Sequence, residues 1–239
     1  MFHPKGPSFL ELAEQALSST DQGYDLLAPK FDYTPFRTPD AILDEAISHI
    51  GPPQSVEDAL DLACGTGAAL RFLRPLCRSH VVGLDRSRGM LEKAREQLSD
   101  SSGTARVLLM RGDMRDVPFI KRFDVVTCFG AFGHVQKEDE TRLIRSVHRA
   151  LRPGGRFVFV SAEMPPKDSK TYWAAQAFNL GIRIRNALRS PPFDMYYLTF
   201  LLPQVSHLLE HNGFSVTVRP MAASTGPHLR LVTATREGS

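Results

Sequence analysis

The sequence predicts an α/β protein whose largely parallel β-sheet carries helices on both faces. Short apolar runs alternate with segments of helical periodicity, and glycines follow the first of these runs. A Pro-Gly-Gly segment then ends a helix just before another apolar run. Strands that alternate with helices are joined by crossovers, which leave neighbouring strands parallel. The 239 residues suffice for one such domain, so we predict a single domain over residues 1–239.

Seven short runs are the predicted strands. Each is rich in Val, Leu or Phe and is bounded by polar or turn-forming residues, as expected for buried strands. The runs are residues 59–63, 80–85, 106–110, 123–128, 156–161, 214–218 and 229–234.

Helices are predicted between these strands. Ser87 is placed as an N-cap, because apolar residues follow it on one helical face. A second face is formed by Leu143, Ile144, Val147 and Leu151, and the Pro-Gly-Gly at 153–155 ends that helix.

Two segments lie outside the alternation. Residues 1–50 precede the first strand and are predicted to form an N-terminal helical cap, most clearly over 40–50. Residues 164–202 separate the fifth and sixth strands and are far longer than an ordinary connection of ~2–6 residues. We predict that this second segment is an insertion or lid.

Composition excludes several classes of protein. Hydrophobic residues make up 42% and the net charge is only +3, which excludes intrinsic disorder and favours a solvated surface over a nucleic-acid partner. The three cysteines form no CxxC pair, so a disulfide scaffold is excluded and a reducing compartment, the cytoplasm, is predicted. No secretion signal is expected, and no apolar run approaches the ~18 residues of a membrane span.

The first predicted strand leads into Asp-Leu-Ala-Cys-Gly-Thr-Gly at residues 61–67. Glycines at a strand-to-helix turn let a ligand approach the backbone closely. Open α/β sheets bind their ligands at this edge. A ligand site is therefore predicted beside residues 61–67.

Acidic residues follow the next two strands. Asp85 ends the second strand, where a carboxylate can accept hydrogen bonds from a ribose diol; its alternative role is a helix N-cap. Asp113 follows the third strand and can accept from an adenine amino group, with Met114 packed near the ring. The alternative for Asp113 is a loop carboxylate satisfied by backbone amides.

Taken together, these segments resemble the motif series of class I S-adenosylmethionine-dependent methyltransferases. The order matches over roughly residues 55–162 and includes the Leu-Arg-Pro-Gly-Gly run at 151–155. Residues 24–32 and 207–214 also resemble family segments. The resemblance implies a Rossmann-like seven-stranded, mostly parallel sheet of order 3-2-1-4-5-7-6 with the last strand antiparallel.

Two residues depart from the family pattern. Ala63 stands where the family often has the first glycine of its loop, although Ala is still small enough for close approach. Phe31 replaces the usual Tyr, so a hydroxyl contact to the cofactor is lost there.

The resemblance implies S-adenosyl-L-methionine as the methyl donor and S-adenosyl-L-homocysteine as the product. It places the glycine loop beside the methionine moiety, Asp85 on the ribose, and further residues around the adenine and beneath the cofactor. The implied cofactor-binding residues are Ala63, Gly65, Gly67, Asp85, Arg86, Met90, Asp113, Met114, Cys128, Phe129 and Gly130.

His134 is the candidate general base for a hydroxyl or amine acceptor, because its ordinary pKa of ~6.5 suits proton transfer. Its alternative is a packing residue, since methyl transfer can also proceed by alignment alone. Cys128 has no evident partner that would make it a nucleophile. No metal is expected, because no ligand spacing occurs and the fourth strand ends in Cys-Phe-Gly rather than an acidic residue.

Within 164–202, Tyr172, Trp173 and Tyr196 are expected to line an acceptor pocket, with core packing as the alternative. The nearby Arg183, Arg185 and Arg189 suit an anionic acceptor, but a solvated helix face is favoured for them.

The predicted function is methyl transfer to an O, N or C nucleophile of a small molecule. A nucleic-acid methyltransferase is the alternative, disfavoured because Cys-Phe-Gly-Ala replaces an NPPY-like tetrapeptide. A dehydrogenase is disfavoured because Leu70 occupies the third small position of its fingerprint. A non-catalytic S-adenosylmethionine-binding module stays open, as does the oligomeric state.

Overall fold

A seven-stranded sheet organises the chain, of which the computed structural model describes residues 3–99, 101–226 and 228–238. The strands lie side by side in the order β3-β2-β1-β4-β5-β7-β6. Strands β1 to β5 run parallel to one another, and β7 runs antiparallel to both β5 and β6. The predicted fold class and strand order are therefore confirmed. The strands are β1 Val56–Leu62, β2 Cys77–Asp85, β3 Arg106–Arg111, β4 Phe123–Cys128, β5 Leu151–Ala162, β6 Phe214–Pro220 and β7 Leu229–Arg236.

Eight α-helices accompany the sheet in the described residues. A 3₁₀ helix, Ala28–Tyr33, follows α2 directly, and another, Phe132–His134, follows β4. The α-helices are α1 Phe9–Leu17, α2 Thr20–Leu27, α3 Asp40–Ser48, α4 Ala68–Leu76, α5 Arg88–Leu98, α6 Glu140–Ala150, α7 Lys170–Leu188 and α8 Gln204–Glu210.

Both faces of the sheet are covered, as predicted. Buried side chains of α3, α4 and α5, such as Ile47, Leu70 and Ala94, form one apolar core. Buried side chains of α6 and α8, such as Ile144 and Leu209, form the other. Cover on both faces agrees with the burial along two central strands, since six of the seven residues of β1 and five of the six residues of β4 are buried.

Local signals set the helix starts near the carboxyl ends of β1 and β2. Ser87 is the N-cap of α5, and its Oγ accepts a hydrogen bond from the Met90 amide at 3.1 Å. Gly67 is the N-cap of α4 with φ 85°, a left-handed conformation that favours glycine. A Cβ on Gly67 would lie 3.1 Å from Leu98 and 3.2 Å from Ala94, so this glycine also lets α4 pack against α5.

The predicted end of α6 differs from the structure. The apolar spacing of α6 extends to Leu151, but the helix ends at Ala150 and Leu151 begins β5. Leu151 has an extended conformation and pairs with Phe123 of β4. Because Pro153 cannot donate a backbone hydrogen bond, the chain leaves the helix early and reaches the sheet through a bulge.

The N-terminal helices lie over the carboxyl end of the sheet. Asp25 of α2 accepts hydrogen bonds from the Ser87 hydroxyl at 2.6 Å and from the Gly89 amide at 2.8 Å. This carboxylate ties α2 to the first turn of α5. Among the described residues, no helix combines the length and apolarity needed to cross a membrane.

Candidate active site

A cavity of about 480 Å³ opens at the carboxyl ends of β1, β2 and β4. This volume lies in the range of small-molecule sites, ~300–1,000 Å³. The loops after these strands form its floor, α2 and residues 31–38 form one wall, and residues 195–201 form its roof. The edge is the one at which open α/β sheets bind ligands.

Most of the predicted site residues line this cavity. They are Ala63, Gly65, Asp85, Arg86, Met90, Asp113, Met114, Phe129, Gly130, His134 and Tyr196.

Four predicted site residues do not line it. Gly67 packs against α5, and Cys128 is fully buried in the core beneath α6, where burial raises the pKa of its thiol. Tyr172 and Trp173 lie in the first turn of α7, and Trp173 is 64% exposed. Helix α7 packs with its buried Asn179 facing the protein, so its first turn lies on the outer surface.

The loop after β1 has three left-handed residues, Ala63 at φ 51°, Gly65 at φ 52° and Gly67 at φ 85°. The Gly65 amide donates to Oδ2 of Asp85 at 2.8 Å, which ties this loop to the end of β2. A Cβ on Gly65 would meet only the Phe31 ring, at 4.0 Å. The backbone at Gly65 is therefore open to a ligand in the cavity.

Asp85 is held rigidly at the cavity floor. Besides Gly65, the Ser87 amide donates to its Oδ1 at 2.9 Å, and burial raises the pKa of this carboxyl. Ser87, not Asp85, caps α5, so the alternative role predicted for Asp85 is not observed. The carboxylate keeps lone pairs that the two backbone amides do not use.

Asp61 is a cavity residue that the sequence analysis did not single out as a site residue. Its side chain is buried, accepts a hydrogen bond from the Thr127 hydroxyl at 2.7 Å, and lines the cavity. Burial raises its pKa to about 7, and the nearby Asp85 carboxylate adds to that rise. The sequence feature that could have indicated this role is its place at the start of the 61–67 run, where it is the acidic residue.

Asp113 stands at the cavity beside Arg115. The Arg115 guanidinium donates to Oδ1 of Asp113 at 3.0 Å and to Oδ2 at 2.6 Å, and its Nη1 donates to Asp139 at 2.8 Å. Burial alone would raise the pKa of Asp113, but the hydrogen bonds from Arg115 hold it below its usual value. Asp113 is therefore an anion fixed by a side chain that sequence analysis did not select.

Tyr24 and His134 form a half-buried hydrogen-bonded pair on the cavity wall. The Tyr24 oxygen lies 2.8 Å from Nε2 of His134, while Nδ1 of His134 hydrogen-bonds the carbonyl oxygen of Asp194. A carbonyl only accepts, so Nδ1 carries the proton and Nε2 accepts from the Tyr24 hydroxyl. Burial lowers the pKa of His134 and raises that of Tyr24, so both groups are neutral.

The roof segment is fixed from both sides. The Tyr196 amide donates to the Gly133 carbonyl at 2.7 Å, and the Thr199 hydroxyl donates to the Phe132 carbonyl at 2.8 Å. On the outer side, Asn179 of α7 exchanges two hydrogen bonds with the Tyr197 backbone, at 2.8 and 2.9 Å. Within the predicted insertion, the roof lines the cavity and α7 braces it.

Within the described ranges, no cluster of three or more His, Cys, Asp or Glu side chains is arranged to hold a metal ion. Cys64, Cys77 and Cys128 are all buried and unpaired.

Fold and site define a Rossmann-like protein with a small-molecule site at the carboxyl edge of its sheet. A family model described as a methyltransferase domain matches residues 59–155. The demethylmenaquinone methyltransferase of Thermotoga maritima is 32% identical over 188 residues, which cover 74% of this chain and 76% of that protein. The ubiquinone/menaquinone biosynthesis C-methyltransferase UbiE of Proteus mirabilis is 32% identical over 145 residues, 59% of this chain and 57% of that protein.

Solved structures agree on the fold. The DhpI complex with S-adenosylhomocysteine superposes with a TM-score of 0.66 at 20% identity, covering 97% of this chain and 100% of that one. An O-methyltransferase family protein from Burkholderia thailandensis gives a TM-score of 0.68 at 16% identity, covering 97% of this chain and 68% of that one. The chain belongs to the class I S-adenosylmethionine-dependent methyltransferases. It is an enzyme that takes its methyl group from S-adenosylmethionine.

Proposed function

We propose that the cavity binds S-adenosylmethionine on its floor and a small aromatic methyl acceptor beneath the roof. The strongest support is the pair of carboxyl groups of the buried Asp61 and the half-buried Asp85, beside the open backbone of Gly65. When bound, the donor supplies an electrophilic methyl group on a cationic sulfonium, next to a second positive charge on its amino group. Buried carboxylates that lack a cationic partner favour such a ligand.

Different residues hold different parts of the donor in this proposal. Asp61 pairs with the amino group, because its raised pKa marks a carboxylate without a compensating charge. Asp85 accepts hydrogen bonds from the ribose hydroxyls with the carboxylate lone pairs that the Gly65 and Ser87 amides do not use. The buried Met90 and Met114 flank the adenine, and Asp113 and Arg86 reach its edge. Ala63, Phe129 and Gly130 complete the contact surface, whereas Gly67 and Cys128 act behind it through packing.

The acceptor is proposed to be a ring-containing small molecule with an acidic O–H or N–H group. Aromatic residues of the walls and roof, among them Tyr24, Phe36 and Tyr196, surround the space above the glycine loop. Similar proteins named above act on quinone precursors by their names, which supports an aromatic ring. The N-terminal helices and residues 195–201 would close over this ligand and exclude water.

His134 is proposed as the final proton acceptor, with Tyr24 between it and the methyl acceptor. The acceptor's proton passes to the Tyr24 oxygen as the Tyr24 proton passes to Nε2 of His134. Nδ1 keeps its own proton, which is hydrogen-bonded to the Asp194 carbonyl, so His134 becomes an imidazolium when Nε2 accepts the second proton. The acceptor's nucleophilic atom then bonds the methyl carbon as the carbon–sulfur bond breaks. The positive charge of the sulfonium is lost as the donor becomes a neutral thioether, and one positive charge remains on the imidazolium of His134.

The cytoplasm is proposed as the compartment, supported by the three unpaired cysteines.

Calorimetric titration tests the donor site, with S-adenosylmethionine, S-adenosylhomocysteine and NAD measured in parallel. We expect binding of the first two and none of NAD. The acceptor is then sought by mass-spectrometric detection of a 14-dalton gain (roughly one CH₂) across hydroquinones, phenols and aromatic amines. Donor binding with turnover only on nucleic acid, or binding of NAD alone, would contradict the proposal.

A further inference from the structure

Helix α7 is the least buried long element of the protein. In the described residues it is the longest helix, Lys170–Leu188, and Asn179 is its single buried residue. Eight of the fifteen exposed large hydrophobic side chains in the described ranges lie on α1 and α7, although these two helices hold 28 residues. The exposed apolar surface is therefore concentrated on one pair of helices rather than scattered.

The exposed apolar residues of α7 form a stripe, here called the outer stripe and defined by Trp173, Ala177, Leu180, Ile184 and Leu188. They recur every three or four residues, which places them on one face of a helix. Trp173 is 64% exposed, Leu180 57%, Ile184 52% and Leu188 82%. A stripe this continuous is the pattern of a helix that buries one face against something outside its own chain.

The neighbouring helix α1 adds to this surface. Phe9, Leu10 and Leu17 of α1 are exposed. Arg185 of α7 donates to the carbonyls of residues 16, 17 and 18 at the end of α1, at 3.2, 2.8 and 2.8 Å. The two helices that carry the exposed apolar residues are thus joined by a defined contact.

The charged side chains of α7 have one sign, whereas α1 carries Glu11 and Glu14. From Ser169 through Phe193 the sequence contains no Asp or Glu, while Lys170 and Arg183 of α7 and its C-cap residue Arg189 are exposed. Pairing of α7 with α7 of a second copy would bring these cations together, which is unfavourable. A negatively charged surface with an apolar layer behind it complements both features. An anionic lipid bilayer is such a surface, because its headgroups attract Lys and Arg and its acyl boundary accepts Trp and Leu.

The inner side of α7 connects this surface to the active site. Asn179 holds the backbone of Tyr197, and Asn186, seven residues later, holds the backbone of Phe193 at 2.9 and 3.1 Å. The side-chain amides of Asn179 and Asn186 therefore hydrogen-bond the backbone within and just before the cavity roof. A surface bound by the outer stripe would lie directly behind that roof.

We infer that α7 docks in the plane of an anionic lipid bilayer, with its outer stripe in the interface and Lys170, Arg183 and Arg189 on the headgroups. The helix lies on the bilayer and does not cross it, since no described helix meets that requirement. This docking surface lies on the outer side of α7, so it is separate from the cavity and from the identity of the methyl acceptor.

The single tryptophan of the chain makes the test direct, because Trp173 lies on the outer stripe. The full-length protein is titrated with vesicles of phosphatidylcholine alone and of phosphatidylcholine with phosphatidylglycerol. We expect Trp173 emission to shift to shorter wavelength with the anionic vesicles, with protection from iodide and quenching by brominated lipid. Flotation of the same mixtures measures the partition coefficient, and high salt is expected to lower it.

Three variants locate the surface. Leu180→Glu with Ile184→Glu places charges on the outer stripe and is expected to abolish flotation and the emission shift. Arg183→Gln with Arg189→Gln is expected to lower the partition coefficient on anionic vesicles by about five-fold per arginine. Ile120→Glu is the matched control, since Ile120 is 73% exposed but lies in the loop between β3 and β4. This control should bind vesicles as the wild type does.

Donor affinity and thermal unfolding of each variant confirm that the protein is folded. Failure of the wild-type protein to bind anionic vesicles would overturn the inference. Unchanged vesicle binding by the Leu180→Glu, Ile184→Glu variant would overturn it as well. A wild-type dimer that sedimentation velocity detects without lipid, and that this pair abolishes, would assign the outer stripe to a second copy instead.

Discussion

The hydroxyl oxygen of Tyr24 lies 2.8 Å from Nε2 of His134, although the two residues are 110 positions apart in the sequence. Their rings meet edge to face with centroids 5.2 Å apart. The carbonyl of Asp194 fixes the imidazole from its other side. One helix of the N-terminal cap, one turn after β4 and the segment after α7 thus meet at a single proton-accepting group.

Replacing His134 tests this group. We expect His134→Ala to lower kcat by ~10²–10⁴-fold, the usual contribution of a general base, with the donor Kd unchanged. Tyr24→Phe should lower kcat as well, because the acceptor then faces a ring without a hydroxyl. Steady-state kinetics and donor titration measure both quantities. Wild-type turnover in His134→Ala would leave this residue a packing role.

The same group predicts a pH profile. Burial lowers the pKa of His134, so the imidazole stays neutral and able to accept a proton below the usual range of histidine. We expect kcat to remain flat as the pH falls from 8 to about 6.5, the ordinary pKa of histidine. A steep loss of kcat over that interval would contradict a neutral buried imidazole.

Asp61 should make donor binding depend on pH. Its pKa of about 7 means that the carboxyl is protonated below neutrality, and only the anion pairs with an amino group. We expect the affinity for S-adenosylmethionine to fall as the pH drops from 8 to 6. Asp61→Asn should bind the donor weakly at both pH values, without that dependence. Calorimetry at the two pH values distinguishes a pH-sensitive wild type from a flat variant.

Asp85→Ala should weaken donor binding by ~1–3 kcal/mol, because a hydrogen-bonding carboxylate is removed. The loop after β1 would also lose its tie to β2, since the Gly65 amide bonds Asp85. Asp44→Ala, on the exposed side of α3, is the matched control and should bind as the wild type does. Equal donor affinity in Asp85→Ala and Asp44→Ala would remove Asp85 from the site.

Ala63→Gly should raise the melting temperature. Ala63 has φ 51°, and the left-handed region costs a residue with a Cβ roughly 1–2 kcal/mol. Greater freedom of glycine in the unfolded chain offsets roughly 0.5–1 kcal/mol of that gain. Calorimetry should show a rise of about 1–4 °C. Gly67→Ala provides the opposite case, because its Cβ would crowd Leu98 and Ala94.

Asp58 should control stability without affecting the site. It is buried near the amino end of β1, with Arg122, Arg152 at 2.9 Å and His80 at 3.0 Å as partners. Asp58→Ala removes the acceptor that these side chains share, but they stay partly exposed to water and Arg152 keeps Asp124 as a partner, so we expect a loss of roughly 1.5–3 kcal/mol in the free energy of unfolding. The exposed pair of Asp116 and Arg149 is the control, and Asp116→Ala should cost at most ~1 kcal/mol.

Acid unfolding gives a second measure of Asp58. Burial opposes its ionisation, but hydrogen bonds from Arg152 and Arg122 hold its pKa below the ordinary 3.8. The stabilisation is therefore complete above pH 3.8 and is lost as the pH falls through the lowered value. Asp58→Ala should flatten that part of the stability profile. An unchanged profile would mean that Asp58 contributes no linked protons.

The sequence by itself determined the strands of the sheet and most of the predicted residues that line the cavity, and the family resemblance supplied the strand order. Apolar runs specify strands because burial on both faces leaves no room for polar alternation, as in Leu60 and Val126. Gly65, Asp85 and Asp113 were predictable because the ends of parallel strands share one edge.

Tertiary structure alone decided what depends on residues that are distant in the chain. The spacing of α6 could not reveal that Leu151 would pair with Phe123. Nothing near Tyr24 in the sequence indicates His134, and nothing near Trp173 indicates that α7 turns this ring outward. Helical periodicity states which residues share a face, but which face is buried depends on what the rest of the fold brings against it.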